Sequence, residues 1–178
     1  PPSQPSHFEV AELAKSIEDH RLDIRGGEEL KSLVSRTQPD FVFHLAAQSL
    51  VRQSYLDPLE TYQTNVLGTL NLLEALRILE KHCTTVLITS DKCYDNFEWV
   101  WGYRETDTLG GPDPYSASKG AAELVIRSHV KSFFPIDGPV RIATGRAGNV
   151  IGGGDWAQDR VVPDCVRCWA REEPVQLR

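Results

Sequence analysis

The sequence predicts an α/β fold, a doubly wound parallel sheet of Rossmann type truncated at both ends. Three observations predict it. Short apolar runs alternate with longer amphipathic ones, as βαβ units require. The run Phe41-Val42-Phe43-His44-Leu45 shows little polar–apolar alternation, as expected of a strand covered on both faces. That run ends in the small residues Ala46 and Ala47, which either leave room for a large group to approach the backbone at the end of a strand or serve tight helix–strand packing.

Taken in order, Val10 to Asp19 reads as weakly helical, and Arg21-Leu22-Asp23-Ile24 as a short strand or its end. Glu28 to Arg36 reads as a helix, which Pro39-Asp40 breaks before the strand at Phe41. Pro58 starts a long helix to about Lys81, with Leu59, Val66, Leu70, Leu73, Leu76 and Leu79 at near-helical spacing. A strand over 84–90 follows, containing Val86-Leu87-Ile88. A loop rich in Asp, Gly, Pro and aromatics then runs from Lys92 to Asp113. Pro114 opens a helix to about Phe133, and Val140 to Thr144 is a strand. A Gly-rich stretch over 145–154 leads to a helix from Pro163 to Arg171.

The chain has 178 residues, 40% of them hydrophobic, enough for one sizeable core. Its formal charge is −6 and no Lys/Arg cluster occurs, which argues against nucleic acid or an anionic membrane as partner. The apolar runs fall far short of the ~20 residues of a membrane span. No basic-then-apolar leader opens the chain, so a cytoplasmic location is expected. There is no methionine, the chain opens on Pro1-Pro2-Ser3-Gln4-Pro5, and Val175-Gln176-Leu177-Arg178 resembles a strand just begun. These features predict an internal segment of a longer protein. Cys165-Val166-Arg167-Cys168 has metal-site or redox spacing, but neither Cys83 nor Cys93 completes a ligand set. Two thiols about one turn apart on an ordinary helix are the better reading.

Two segments carry the chemistry: Thr89-Ser90-Asp91-Lys92 at a strand end and Tyr115-Ser116-Ala117-Ser118-Lys119 at a helix start. Residues i and i+4 share a helix face, so Lys119 can reach the phenol of Tyr115 or a ligand between them. A neighbouring cation favours a phenolate. With Ser90 beside them, such a trio removes a proton from a sugar hydroxyl while a hydride leaves the same carbon, which is dehydrogenase chemistry. The bland alternative is an aromatic–lysine pair on a solvated helix. His44 reads as a satisfied core histidine. In Arg146-Ala147-Gly148-Asn149-Val150-Ile151-Gly152-Gly153-Gly154-Asp155-Trp156, with Arg160 beyond, glycines permit close backbone approach. An arginine and an amide there suit phosphate oxygens. No Gly-x-Gly-x-x-Gly or Gly-x-x-Gly-x-x-Gly occurs, so either a dinucleotide cofactor is the wrong reading or its pyrophosphate cradle lies before Pro1.

In these residues the chain resembles the extended short-chain dehydrogenase/reductase family, and within it the nucleotide-sugar 4,6-dehydratases. The likeness rests on His44-Leu45-Ala46-Ala47, Asn65-Val66-Leu67-Gly68-Thr69, Thr89-Ser90-Asp91-Lys92, Pro114 to Lys119 and Arg146 to Val150. Enzymes acting on dTDP-glucose carry Thr-Asp-Glu where this chain has Ser90-Asp91-Lys92. That departure, the stretch Asn149 to Trp156 and the Pro-rich opening resemble the CDP-glucose branch.

The resemblance implies tightly held NAD, with Tyr115 as base for the C4 hydroxyl, Ser90 holding that oxygen and Lys119 on the nicotinamide ribose. It implies Lys92 or an ordered water as base at C5, and Asp91 as acid for the departing C6 hydroxyl. It places Asp23 and Ile24 at the adenine, Leu45, Ala46 and Ala47 along the cofactor, and Asn149 and Arg160 at the nucleotide pyrophosphate. Residues 1–145 are then an NAD-binding domain lacking its first βα unit, and 146–178 begin the substrate-binding portion. A homodimer pairing the helices after Pro58 and Pro114 is expected, and the segment alone should be inactive. The competing readings are a C4 epimerase of the same family, against which the Asp91-Lys92 pair argues, and a non-catalytic binding module, against which the intact Ser90, Tyr115 and Lys119 argue.

Overall fold

The structure, a computed structural model, describes residues 4–157 and 159–176. They fall into two compact units, Leu22–Gly148 and Pro1–Arg21 with Asn149–Arg178.

In the larger unit, strands β1 (Phe41–His44), β2 (Cys83–Ile88) and β3 (Val140–Gly145) form a parallel sheet in the order β1-β2-β3. Phe41 pairs with Thr84 and Thr84 with Arg141, so all three carboxyl ends point one way. β2 alternates strictly, burying Cys83, Thr85 and Leu87. With Val42, Val140 and Ile142, these residues meet helices α2 (Gly27–Thr37), α5 (Gly68–Leu76) and α6 (Pro114–Phe133) through Leu30, Val34, Leu72, Leu73, Leu76 and Ile126. On the opposite face, Phe41 and Phe43 of β1 are exposed. The parallel Rossmann-type sheet with crossover helices is the fold that the sequence pattern predicts.

Three local differences have physical causes. Arg21–Ile24 forms no strand; at its end Asn71 Nδ2 donates to Ile24 O (3.0 Å) and to the following Arg25 O (3.1 Å), while Asp23 O accepts from the Gly26 N–H. The long helix expected from Pro58 is preceded by a separate helix, α3 (Val51–Leu56), and is itself interrupted. Asp57 caps α4 (Pro58–Tyr62) by accepting from the Glu60 N–H at 2.9 Å, with Pro58 preset in its first turn. A π-helical segment (Gln63–Leu67) then wraps the buried Asn65 before α5 resumes at Gly68. Such π turns concentrate at functional sites. Gly68 admits a close approach there: a Cβ would lie 2.6 Å from the Ile24 side chain, which would have to shift.

In the smaller unit, Val10 to Asp19 is not one helix. It divides into α1 (His7–Val10), closed by a Ser6–Glu9 capping box, and a 3-10 turn at Leu13–Lys15. Helix α7 (Val161–Trp169) carries both Cys165 and Cys168.

Candidate active site

α6 begins with Asp113, whose carboxylate accepts from the Ser116 N–H (2.9 Å) and hydroxyl (2.6 Å), with Pro114 behind it. This cap fixes where Tyr115 starts the helix. The Tyr115 N–H donates to Ser54 Oγ of α3 (3.1 Å), and Ser118 Oγ donates back to Tyr115 O (2.6 Å). Asn65, buried in the π segment, completes the anchor: its Nδ2 donates to Ser118 Oγ (2.9 Å) and Gln48 O (3.0 Å), and its Oδ1 accepts from the Gln48 N–H (2.9 Å).

β2 delivers the other half. Beyond Ile88 the chain turns, and Ser90 caps a 3-10 turn (Asp91–Cys93), accepting from the Lys92 N–H at 3.2 Å. α6 packs along this turn. The approach is close at Gly120, where a Cβ would lie 2.9 Å from Gly110 O and 3.1 Å from Cys93 O, backbone atoms that cannot swing away. Tyr115, Lys119 and Glu123 are spaced by four and form one stripe on α6. Glu123 accepts from Thr89 Oγ1 at 2.5 Å, which fixes Ser90, the next residue, against that stripe. Ser90, Tyr115 and Lys119 are all buried.

Asp91 and Lys92 differ from them. Both side chains are half-exposed, their charges 3.7 Å apart, and Ser90 Oγ donates to Asp91 Oδ1 at 3.1 Å. They line a cleft of about 760 Å³ together with Tyr94, Asn96, Tyr103, Glu105, Asp113, Ser116, Thr144 and Arg146. That volume suits a small-molecule ligand. The loop forming its far wall is held by side chains: Tyr94 stacks on Tyr103 at 5.1 Å, and Tyr103 Oη donates to Asn96 Oδ1 at 2.9 Å.

Burial depresses His44 to about 4, with the positive charge of Lys119 adding to the effect, so the imidazole is neutral at pH 7. Burial also lowers Lys119. For Glu123 burial works upward, but hydrogen bonds from Arg146 and Thr89 outweigh it and hold the carboxylate below its usual range.

At the carboxyl end of β1, Leu45 and Ala46 are exposed and Ala47 is half-buried, a small apolar surface. Asp23 is engaged by Arg25, whose Nε lies 2.9 Å from Oδ2, and Ile24 packs on α5 at Gly68. Asn149 and Arg160 belong to the other compact unit; Asn149 is exposed, and Arg160 lies 3.7 Å from Asp155. Arg146, read from the sequence as suited to phosphate, instead directs its guanidinium at Glu123. Sequence reasoning gave no role to Ser54 or Glu123, and named Asn65 only within a family motif. A polar residue inside the apolar stripe of the long helix was the available signal for Asn65.

Residues 4–136 match the GDP-mannose 4,6 dehydratase family. Over 99% of its length the chain is 51% identical to CDP-glucose 4,6-dehydratase of Salmonella typhimurium, of which it covers 50%. The chain thus spans about half the length of that relative. Among solved structures it resembles a UDP-glucose 4-epimerase of Thermus thermophilus in complex with NAD (TM-score 0.76, 29% identity, 88% of this chain and 50% of that one). It also shares the fold of the Thermotoga maritima UDP-glucose 4-epimerase (TM-score 0.81, 23% identity, 94% and 53%).

Proposed function

The chain belongs to the GDP-mannose 4,6 dehydratase family, and from that premise we propose that the whole protein dehydrates CDP-glucose to its 4-keto-6-deoxy form with NAD as cofactor. The observation that carries the reading is the meeting of two segments. The turn Ser90-Asp91-Lys92 packs against α6, whose first turns carry Tyr115 and Lys119, beside a cleft that Asp91 and Lys92 line. The likeness to the Salmonella enzyme supports CDP-glucose over other nucleotide sugars.

The residues present fit a dinucleotide. Leu45, Ala46 and Ala47 offer a small apolar surface at the carboxyl end of β1, Lys119 suits the nicotinamide ribose, and Asp23 and Ile24 suit the adenine end. When bound, NAD supplies the acceptor and donor of hydride. Tyr115 takes the proton of the C4 hydroxyl while Ser90 holds that oxygen. The resulting 4-keto group acidifies C5, whose proton passes to Lys92 or to an ordered water. Asp91 protonates the departing C6 hydroxyl, for which its position on the cleft wall suits it. Asn149 and Arg160 bind the nucleotide pyrophosphate. Residues 1–145 serve the cofactor and 146–178 open the portion that holds the nucleotide sugar.

The same reading makes the protein a homodimer, supported by the exposed Leu56, Leu59, Leu67 and Leu124 on the helices after Val51, Pro58 and Pro114. A cytoplasmic location is supported by four free thiols. Among the described residues, no helix is long and apolar enough to cross a membrane.

The test is turnover by the full-length protein of CDP-glucose, dTDP-glucose and GDP-mannose, followed by the alkaline absorbance of 4-keto-6-deoxy products. Product from CDP-glucose alone is expected, and Tyr115→Phe should abolish it while NAD stays bound. Product from another sugar discards the CDP branch, and near-normal turnover by the variant discards the role of Tyr115.

A further inference from the structure

The far wall of the cleft is a loop without a helix or strand of its own, and such a wall needs something to hold it. At its base the backbone does so: Tyr94 bridges Leu109, and the Gly110 N–H donates to Cys93 O at 2.9 Å. Beyond Tyr94 the aromatic rings take over. Tyr94 stacks on Tyr103 at 5.1 Å, and Trp99 packs against Tyr103 and Trp101, both at 5.5 Å. Tyr103 Oη in turn accepts from the Phe97 N–H at 2.8 Å. Trp99 and Trp101 are exposed, so the stack is placed from its inner end, at Tyr94.

Arg146 holds that inner ring. From the carboxyl end of β3 its Nη1 donates to Tyr94 Oη (2.8 Å) and to Glu105 O (3.2 Å), and its guanidinium lies 4.9 Å from the centre of the Tyr94 ring. One side chain thus ties both ends of the aromatic stretch to the sheet. The guanidinium is itself fixed from the other side. Its Nε donates to Glu123 Oε1 at 3.0 Å and its Nη2 to Oε2 at 2.9 Å, a two-pronged grip on a buried carboxylate. Thr89 also donates to Oε1, which holds that carboxylate at the end of β2. With Nε and Nη2 engaged by Glu123, Nη1 is directed at the loop. Tyr94, Glu105 and Arg146 line the cleft; Glu123 does not, and acts on it through Arg146.

We infer that Arg146 is a positioning residue: braced by Glu123, it holds Tyr94 and Glu105 and keeps the far wall of the cleft preformed for the hexose of the nucleotide sugar. The inference rests on the proposed reading that this cleft takes such a substrate. A wall already in place removes the entropy loss of ordering it on binding. Loss of the brace therefore weakens substrate binding, while Tyr115, anchored separately through Ser54, is undisturbed.

The experiment uses the full-length protein and two variants. Arg146→Lys keeps a cation beside Glu123 but cannot bond Glu123, Tyr94 and Glu105 together. Glu123→Gln/Arg146→Leu removes both charges at once, so that no unpaired charge is buried should the first variant not fold. Hydrogen–deuterium exchange without substrate reads the order of the loop over 95–107. Steady-state kinetics with the nucleotide sugar that wild type turns over reads its use. Both variants should exchange about tenfold faster over 95–107, a factor equivalent to about 1.4 kcal/mol, with α5 unchanged. KM should rise about tenfold with kcat within about threefold and NAD still bound, the pattern of lost binding rather than lost chemistry. Unchanged exchange in the loop overturns the inference, and a raised KM without it would mean that Arg146 touches the substrate directly. Faster loop exchange with KM unmoved overturns the substrate role. Exchange rising equally in α5 is general loosening and overturns it as well. A wild type inert on every nucleotide sugar discards the dehydratase reading and the substrate role with it, a failure seen before any variant is compared.

Discussion

Acid should destabilise this protein through His44 specifically. The ring is buried on β1, with Nε2 3.2 Å from Thr69 Oγ1. The single hydroxyl hydrogen of Thr69 is already donated to Asn65 O at 2.8 Å, so His44 Nε2 must carry the proton and donate. A second proton would place a charge in the core facing Lys119. Burial, then that lysine, accordingly pulls the ring from its ordinary 6.5 to about 4. The folded value lies below the unfolded one, so between these pH values the unfolded chain takes up a proton that the fold refuses. Stability is therefore intact above about pH 6.5 and is lost progressively as pH falls towards 4. A gap of two to three units at about 1.4 kcal/mol each makes the loss about 3 kcal/mol. The assay is urea unfolding of full-length wild type and His44→Gln between about pH 7.5 and pH 4. Carboxylates titrate in both proteins and cancel in the difference, leaving the histidine. Wild type should lose about 3 kcal/mol more than the variant over this range. Parallel curves, or a ring proton titrating near 6.5 by NMR, would refute the reasoning.

Two further outcomes follow from the site. Asn65→Leu leaves the half-buried Gln48 N–H and C=O without their partner and removes a donor to Ser118, which at about 1–3 kcal/mol for each stranded group costs about 2–6 kcal/mol. Denaturant unfolding of the full-length variant reads it, and a loss below about 1 kcal/mol would mean that water replaces the amide. Asp91→Asn removes the acid on the cleft wall and should slow elimination far more than C4 oxidation. Reduced-nicotinamide absorbance should then accumulate in single turnovers, whereas equal slowing of both steps removes the special role of Asp91.

What was legible in the sequence is what local chemistry decides. β1, β2, β3, α2 and α6 could be read because apolar period, Pro114 and the Asp113 cap act within a few residues of where they stand. Arg21–Ile24 could not, because the Asn71 amide that takes the Ile24 carbonyl lies 47 residues away. The division of the helix after Pro58 was equally hidden. A continuous apolar stripe does not reveal that a buried asparagine needs a π turn to reach both Gln48 and Ser118.

The same distinction governs the site itself. Tyr115 and Lys119 were legible because both residue types carry chemistry and their spacing alone places them on one face. Glu123 continues that stripe yet reads as an ordinary solvated acid, since its partners Arg146 and Thr89 are 23 and 34 residues away in sequence. Arg146 was misread for the complementary reason. In a glycine-bearing segment a guanidinium suits a phosphate, and only the parallel pairing of β3 with β2 turns it towards α6 instead. Parallel pairing brings the ends of β2 and β3 level, so that Thr89 N–H donates to Gly145 O at 2.9 Å and Asp91 N–H to Ala147 O at 3.0 Å. That alignment brings Thr89 and Arg146 to one carboxylate, where both donate to Glu123 Oε1. The sheet therefore does more than carry residues to its edge: through Thr89 and Arg146 it fixes the Glu123 carboxylate of α6.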